Sequence, residues 1–170
     1  MQHQRANTIF QGVLFLILGA PSLLVISATS SDLQFILRAR LFYDDAFYYF
    51  VIARNLLEGH FFSFDTITTT NGFHPLWLLV LLPITYLYSG SEFLAAVLVV
   101  QGLLLWWALG ITFLLIVQRR TPSLLALSTV LWVGLFPEFL RLSFIGLEIA
   151  LSLFVYSAVF AALHRISESP

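Results

Sequence analysis

Residues 93–118 read FLAAVLVVQGLLLWWALGITFLLIVQ, a run without a single charged side chain. As an α-helix this run would be about 39 Å long, which exceeds the roughly 30 Å hydrocarbon core of a bilayer. Arg119 and Arg120 follow it directly. The stretch therefore predicts a tilted membrane-spanning helix that ends at a charged surface.

The composition of the whole chain agrees with this interpretation. Apolar residues make up 59% of the 170 residues, and charged residues only 10%. Soluble domains usually carry about 25% charged residues, so we predict an all-α integral membrane protein with one transmembrane domain over residues 1–170. The net charge of −1 and the lack of Lys argue against a nucleic-acid partner. Without Cys, disulfides and thiolate metal sites are excluded.

Three further apolar stretches predict additional spans, near residues 9–29, 122–140 and 148–164. A cleaved signal peptide is the alternative for the first stretch, because residues 27–30 are small enough for cleavage. Its apolar part is longer than the usual signal-peptide core of roughly 7–15 residues, which favours a retained helix. Under either interpretation, the segment that follows lies on the non-cytoplasmic side of the membrane.

Residues 75–88 form a shorter apolar block, in the length range of re-entrant or interfacial segments. The positive-inside rule places Arg5, Arg119–Arg120 and Arg165 together in the cytoplasm only if this block does not span. We therefore expect about four transmembrane helices, both termini in the cytoplasm, and an outer loop over residues 30–91.

The outer loop contains a predicted helix over residues 45–58. Asp44 is a plausible N-cap for it, and Gly59 stands where a helix would end in the left-handed conformation. Its apolar face, at helical spacing, consists of Phe47, Phe50, Val51 and Leu57. Further on, Asn71-Gly72 predicts a turn.

Two acidic positions fall on the same side of the membrane in this topology: Asp44-Asp45 at the start of the loop helix, and Glu148 at the outer mouth of the last span. Ionisable groups near membrane depth are costly, which favours a functional role. One carboxylate could act as general base on an acceptor hydroxyl, while another orients it or holds a divalent cation such as Mg²⁺ or Mn²⁺. The alternative is that these acids only cap helices. His74 is open to the same choice, as a ligand or as an interfacial residue.

Three stretches carry a resemblance to a known superfamily: YDDAFYYFVIARN at 43–55, EGH at 58–60 and NGFHPLW at 71–77. Together they resemble the first external loop of GT-C glycosyltransferases. That superfamily includes the oligosaccharyltransferase catalytic subunit, protein mannosyltransferases, lipid A aminoarabinose transferases and arabinofuranosyltransferases. An acidic pair opens the loop in these enzymes, and a second acid precedes a later span, where GLE stands at 146–148. The resemblance implies catalytic roles for Asp44, Asp45 and Glu148.

The activity implied is transfer of a sugar from a polyprenyl-phosphate donor to an acceptor glycan, lipid or protein outside the plasma (inner) membrane. A divalent cation, if one is used, is expected at Asp44, Asp45 or Glu148. The residues expected to contact substrate are Tyr48, Arg54, Asn71, His74 and Arg141. The further cations that could meet the lipid phosphate are Arg38 and Arg40.

Known GT-C members have more spans, so the chain corresponds to their N-terminal part, and we expect little activity from it alone. The second function class is a non-catalytic membrane scaffold or accessory subunit, whose acids only cap helices. A transporter is disfavoured because no charged residue lies near the centre of a predicted span.

Overall fold

The computed structural model of the chain describes residues 42–117, 128 and 136–168. Within these residues the fold is helical, with an isolated β-bridge between Ser63 and Thr69 and no strand. The helices are α1 (Asp44–Leu57), α2 (Pro75–Leu87), α3 (Gly90–Val117), α4 (Pro137–Ser143) and α5 (Ile149–Glu168). The helical fold class expected from the sequence is therefore present in the described part of the chain.

Two of these helices are long and apolar enough to cross a membrane, over Gly90–Ile116 and Ile149–Ser167. They correspond to two of the four expected spans. The span expected near 9–29 lies outside the described residues, as do most of the one near 122–140, Arg5, Arg38, Arg40 and the Arg119–Arg120 pair. The described residues thus contain fewer candidate spans than predicted.

The two candidate spans, α3 and α5, run in the same direction. Gln101 of α3 donates to the carbonyl of Leu147, just before α5 begins. Further along both helices, the hydroxyls of Thr112 and Ser157 are 3.1 Å apart. Apolar burial contributes little to helix association in lipid, where an interhelical hydrogen bond of this kind is worth about 0.6 kcal/mol.

Helices α2 and α3 form a hairpin, and α1 packs against α2. Ala46 and Ala53 of α1 are fully buried, and Tyr49 lies between them on the same side of the helix. Of the predicted apolar face, Phe50 is buried while Phe47 and Leu57 are 40% and 44% exposed, and contact of that face with the membrane interface stays a prediction. Small side chains occupy the buried positions because they allow α1 and α2 to approach closely.

The helices form two layers that meet at residues 144–148, which we call the junction loop. Gln101 lies eleven residues into α3, about 17 Å from its start. The part of α3 before Gln101 contacts α1, where the rings of Phe50 and Phe93 meet edge to face at 4.9 Å. The part after it packs along α5. Glu148 is the last residue of the junction loop, so it lies at the boundary between the layers.

Two local predictions are corrected and one is confirmed. Helix α1 begins at Asp44, with Tyr43 as an N-cap that makes no side-chain bond, so Asp44 is not the N-cap. Gly59 does adopt a left-handed conformation, at φ +88°. The Asn71-Gly72 turn is wrong: the chain reverses instead around Asp65, whose carboxylate accepts the backbone N–H groups of residues 67 and 68.

Candidate functional site

Glu148 forms an ion pair with His74 in the junction between the two layers. Its Oε1 atom lies 3.1 Å from His74 Nε2, and its side chain is 22% exposed against 65% for the imidazole. The backbone carbonyl of Glu148 accepts the N–H of Ser152 at the start of α5. The helix thus uses the backbone of Glu148, while the carboxylate is directed at a residue from another part of the chain.

The second carboxylate oxygen of Glu148, Oε2, is buried and has no hydrogen-bond partner of normal geometry. A side chain that capped α5 would place this oxygen on the free N–H groups of the first turn. The capping interpretation of Glu148 is therefore wrong for its side chain. A buried acceptor left without a donor is costly.

The hydroxyl of Tyr49 lies beside the same carboxylate. It accepts the backbone N–H of His74 at 3.1 Å. Burial raises the pKa of Tyr49, the N–H of His74 lowers it, and the negative charges of Glu148 and Asp45 raise it. The phenol therefore stays protonated at neutral pH and is available as a donor next to Glu148.

The acidic pair lies at the exposed start of α1, against the same junction loop. The N–H of Tyr43, the residue before Asp44, donates to the carbonyl of Ile145 at 3.1 Å. Gly146 lies equally close to this helix end, because a Cβ on it would be 2.6 Å from the Cβ of Ala46. The fold thus brings the segment that carries the acidic pair to the loop that carries Glu148. A shared site for the three acids remains a prediction.

The two predicted phosphate-binding arginines lie at opposite ends of α1. Arg141 lies over the Tyr43 ring, 5.9 Å from its centroid, and pairs with Glu138 one turn earlier on α4. Glu138, then Tyr43, raise the pKa of Arg141, which therefore stays charged. Arg54 pairs with Glu58 at 3.3 Å, about 15 Å further along α1 than Asp44. Of the arginines in the described residues, Arg141 is the one that lies at the acidic end of this helix.

The other two predicted substrate-binding residues are Tyr48 on α1 and Asn71 in the loop between α1 and α2. Tyr48 bonds the hydroxyl of Thr70 and stacks on Phe64 at 5.0 Å. Asn71 is exposed in the same loop. The contacts of Tyr48 hold the loop, whereas His74 and Tyr49 reach the carboxylate of Glu148.

A cleft of about 190 Å³ opens beside Glu148 and continues along α5. Its polar end contains His74, Glu148 and Ser152, and its apolar lining consists of Leu76, Trp77, Leu151, Val155 and Tyr156. A larger groove of about 430 Å³ lies at the other end of α1, next to Arg54. The smaller cleft joins the polar cluster to the side of a candidate span.

Sequence reasoning missed two residues that hold the junction loop. Gln101 is fully buried and bonds the backbone of both Gly146 and Leu147, while Trp77, also fully buried, donates to the carbonyl of Gly146. The full burial of Trp77 is typical of a packing residue, and its bond to the loop is the additional feature. A lone amide within an apolar run was the available signal for Gln101.

The described residues contain no group of three or more His, Cys, Asp or Glu side chains that could hold a metal ion. Within them, the predicted Mg²⁺ or Mn²⁺ site at Asp44, Asp45 or Glu148 has no three-ligand set. We derive no chemical step through a cation.

No protein-family model, curated protein or solved structure matches the chain.

Proposed function

We propose that the chain is the N-terminal part of a GT-C type membrane glycosyltransferase. It would move a sugar from a polyprenyl-phosphate donor to an acceptor hydroxyl on the extracytoplasmic side of the membrane. The main support is the junction itself: Glu148 pairs with His74 of the NGFHPLW stretch, and Tyr43 of the YDD stretch bonds Ile145. Two of the three stretches that carry the resemblance, 43–55 and 71–77, thus contact the loop that carries Glu148.

The chemistry follows from the positions of these groups. Asp44 would accept the proton of the acceptor hydroxyl, and Glu148, held by His74, would orient the acceptor. The acceptor oxygen forms a bond to the anomeric carbon as the bond from that carbon to the phosphate oxygen breaks. The leaving polyprenyl phosphate keeps the bonding electrons, and Arg141 would stabilise its negative charge.

The cleft along α5 suits a donor with a lipid tail. Its apolar lining starts at Glu148 and follows the first two turns of a candidate span. Several large apolar side chains of α5 remain exposed, among them Tyr156, Phe160 and Ile166 at 66–69%. Soluble monomers rarely expose such a stripe, and lipid is the solvent that fits it. A tail in the bilayer would keep the sugar and phosphate at the carboxylate.

For sidedness we propose that α3 and α5 both run from the outside to the cytoplasm, as their common direction allows. Because the chain has no Cys, single cysteines introduced at position 60 or 119 give a labelling test without background. An impermeant thiol reagent added to intact cells should label position 60, which is exposed in the outer loop, and spare position 119. Labelling of 119 but not 60 would reverse the orientation.

The function is tested with a photoactivatable polyprenyl-phosphate sugar and the chain in lipid nanodiscs. We expect weak, saturable cross-linking to residues of the cleft that is competed by unlabelled polyprenyl-phosphate mannose, glucose or arabinose. Turnover by this chain alone should be low or absent. A longer natural version should transfer the sugar to an acceptor.

Thr112→Val is the matched control, because Thr112 bonds Ser157 of α5 and does not line the cleft. It should leave cross-linking unchanged, whereas Glu148→Gln should reduce sugar-dependent competition. If plain polyprenyl phosphate competes as well as every sugar-bearing form, the cleft does not recognise the sugar. Failure of both this chain and a longer natural version to bind any lipid-linked sugar would favour the membrane scaffold.

A further inference from the structure

Gln101 is a fully buried amide in the interior of an apolar helix. Its Nε2 donates to the carbonyl of Leu147 at 2.8 Å, and its Oε1 accepts the N–H of Gly146 at 3.3 Å. The side chain therefore bonds two consecutive backbone units of the junction loop. Leu at this position would pack among apolar neighbours but would leave both backbone groups buried without a partner.

Trp77 adds a third bond to the same loop from α2. Its Nε1 donates to the carbonyl of Gly146 at 3.0 Å, and its ring is fully buried. Gln101 and Trp77 lie about 15–17 Å from the connection between α2 and α3, measured along their own helices. The two antiparallel helices thus contact the loop at about the same distance from their connection.

The backbone of the loop permits this close approach only because residue 146 is Gly. Its φ is +83°, and a Cβ there would lie 2.4 Å from the Phe42 ring and 2.6 Å from Ala46. Leu147, whose carbonyl Gln101 holds, directly precedes Glu148. The direction of the Glu148 side chain therefore depends on bonds made by residues 47 and 71 positions away in sequence.

We propose that Gln101 and Trp77 are positioning residues for Glu148, holding its carboxylate against His74 by fixing the backbone of residues 146 and 147. The inference rests on the proposed function for its catalytic meaning, but the positioning itself is measurable without activity. Gln101 does not line the cleft, and Trp77 lines it with its ring while its Nε1 bonds the loop. Both act through the loop that carries the acid.

The positioning is tested by cross-linking in the naturally cysteine-free chain. Cysteines replace His74 and Glu148, and a short bifunctional methanethiosulfonate reports how often the two positions approach. Adding Gln101→Leu should lower the cross-linking rate by about tenfold, since two bonds to the loop are lost. Trp77→Phe keeps the ring but loses the donor and should lower the rate less.

Thr112→Val is the control, because it removes a polar contact between α3 and α5 without touching the loop. It should leave the cross-linking rate unchanged. An equal fall in this control would assign the effect to general loosening of the helix pair and overturn the proposal. So would an unchanged rate in Gln101→Leu or, if that variant does not fold, in Trp77→Phe.

The catalytic meaning is tested in a longer natural version that transfers sugar. There Gln101→Leu should lower kcat with little change in the KM for the lipid donor, and adding it to Glu148→Gln should cause no further loss. Additive losses would mean that Gln101 acts by another route. If the wild-type protein transfers no sugar, the proposed function fails, while the cross-linking result still decides the positioning.

Discussion

The carboxylates of Asp65 and Glu148 lie in two different loops, and their surroundings are opposite. Asp65 is exposed, yet its two oxygens accept bonds from two backbone N–H groups and the hydroxyls of Ser63 and Thr68. Glu148 is mostly buried, yet its Oε2 has no hydrogen-bond partner of normal geometry and its Oε1 lies against His74, with the Tyr49 hydroxyl nearby. The carboxylate of Asp65 stabilises its own loop, whereas the loop of Glu148 is held by bonds from other residues.

The difference separates structural from functional acids better than burial alone. A carboxylate that satisfies its local backbone is explained by the turn it stabilises. The junction loop is held by Trp77 and Gln101, so the carboxylate of Glu148 is not required to stabilise it. Substitutions at the two acids should therefore change different properties.

The largest effect is expected for Asp44→Asn in a longer natural version with transferase activity. Asp44 caps nothing with its side chain, so membrane insertion and thermal stability should stay unchanged. Loss of the general base should lower turnover by about 10²–10⁴-fold. Turnover equal to wild type would place Asp44 with Asp65, as an acid without a chemical role.

Glu148→Gln should lower turnover about 100-fold in the same assay, because the amide cannot hold the charge that faces His74. Asp65→Asn is its matched partner, an identical change of chemistry in the other loop, and should retain wild-type turnover. Equal losses in the two variants would break the comparison between a functional and a structural acid.

Gly146→Ala should destabilise the fold more than Gly59→Ala. Both glycines have φ above +80°, so both substitutions carry the left-handed backbone cost of about 1–2 kcal/mol. Only at Gly146 does the added Cβ also meet the Phe42 ring and Ala46. The measurement is the thermal unfolding midpoint in detergent. Equal shifts would mean that the junction loop accommodates a side chain.

The smallest effect concerns pH. Hydrogen bonds from Thr68, Ile67 and Ser63 hold the pKa of Asp65 well below its usual range. A lowered folded-state pKa contributes stability above the unfolded value of about 3.9 and loses it as pH falls further. Cleavage of the loop around residues 63–69 by an acid-stable protease should therefore rise below about pH 4 in wild type. Asp65→Asn should remove that pH dependence and raise cleavage at neutral pH.

The helices and the left-handed Gly59 were predictable because local patterns determine them. An apolar run of the length of α3 forms a helix whatever surrounds it, and a Gly after a helix marks its end. The turn around Asp65 lies within the polar, Thr-rich stretch of residues 63–72, which the sequence predicts as a turn region, but its position was misassigned because Asn71-Gly72 is the stronger dipeptide signal. The four bonds that Asp65 accepts outweigh that signal in the folded chain.

From the sequence we expect Asp44 and Glu148 to face one outward-facing cavity, with Asp45 and His74 near its rim, but the sequence does not predict which of these groups touch. His74 and Glu148 stood out as polar groups beside apolar stretches, but their pairing joins positions 74 residues apart. The roles of Gln101 and Trp77 depend on contacts across three helices, which spacing along one helix cannot encode. The buried face of α1 was missed for a related reason, since Ala46 and Ala53 are defined by the partner they approach.

The bonds of the junction loop join residues that are synthesised at different times. Tyr43, Trp77 and Gln101 all leave the ribosome before Gly146, and the acidic pair precedes Glu148 by about 100 residues. At about 5–20 residues per second, Glu148 is added roughly 5–20 s after Asp44 and Asp45. Until then the buried amide of Gln101 lacks its native partners. The segment of the acidic pair therefore meets the junction loop only after about 100 further residues have been made, and a chain interrupted before residue 148 carries the acidic pair without Glu148.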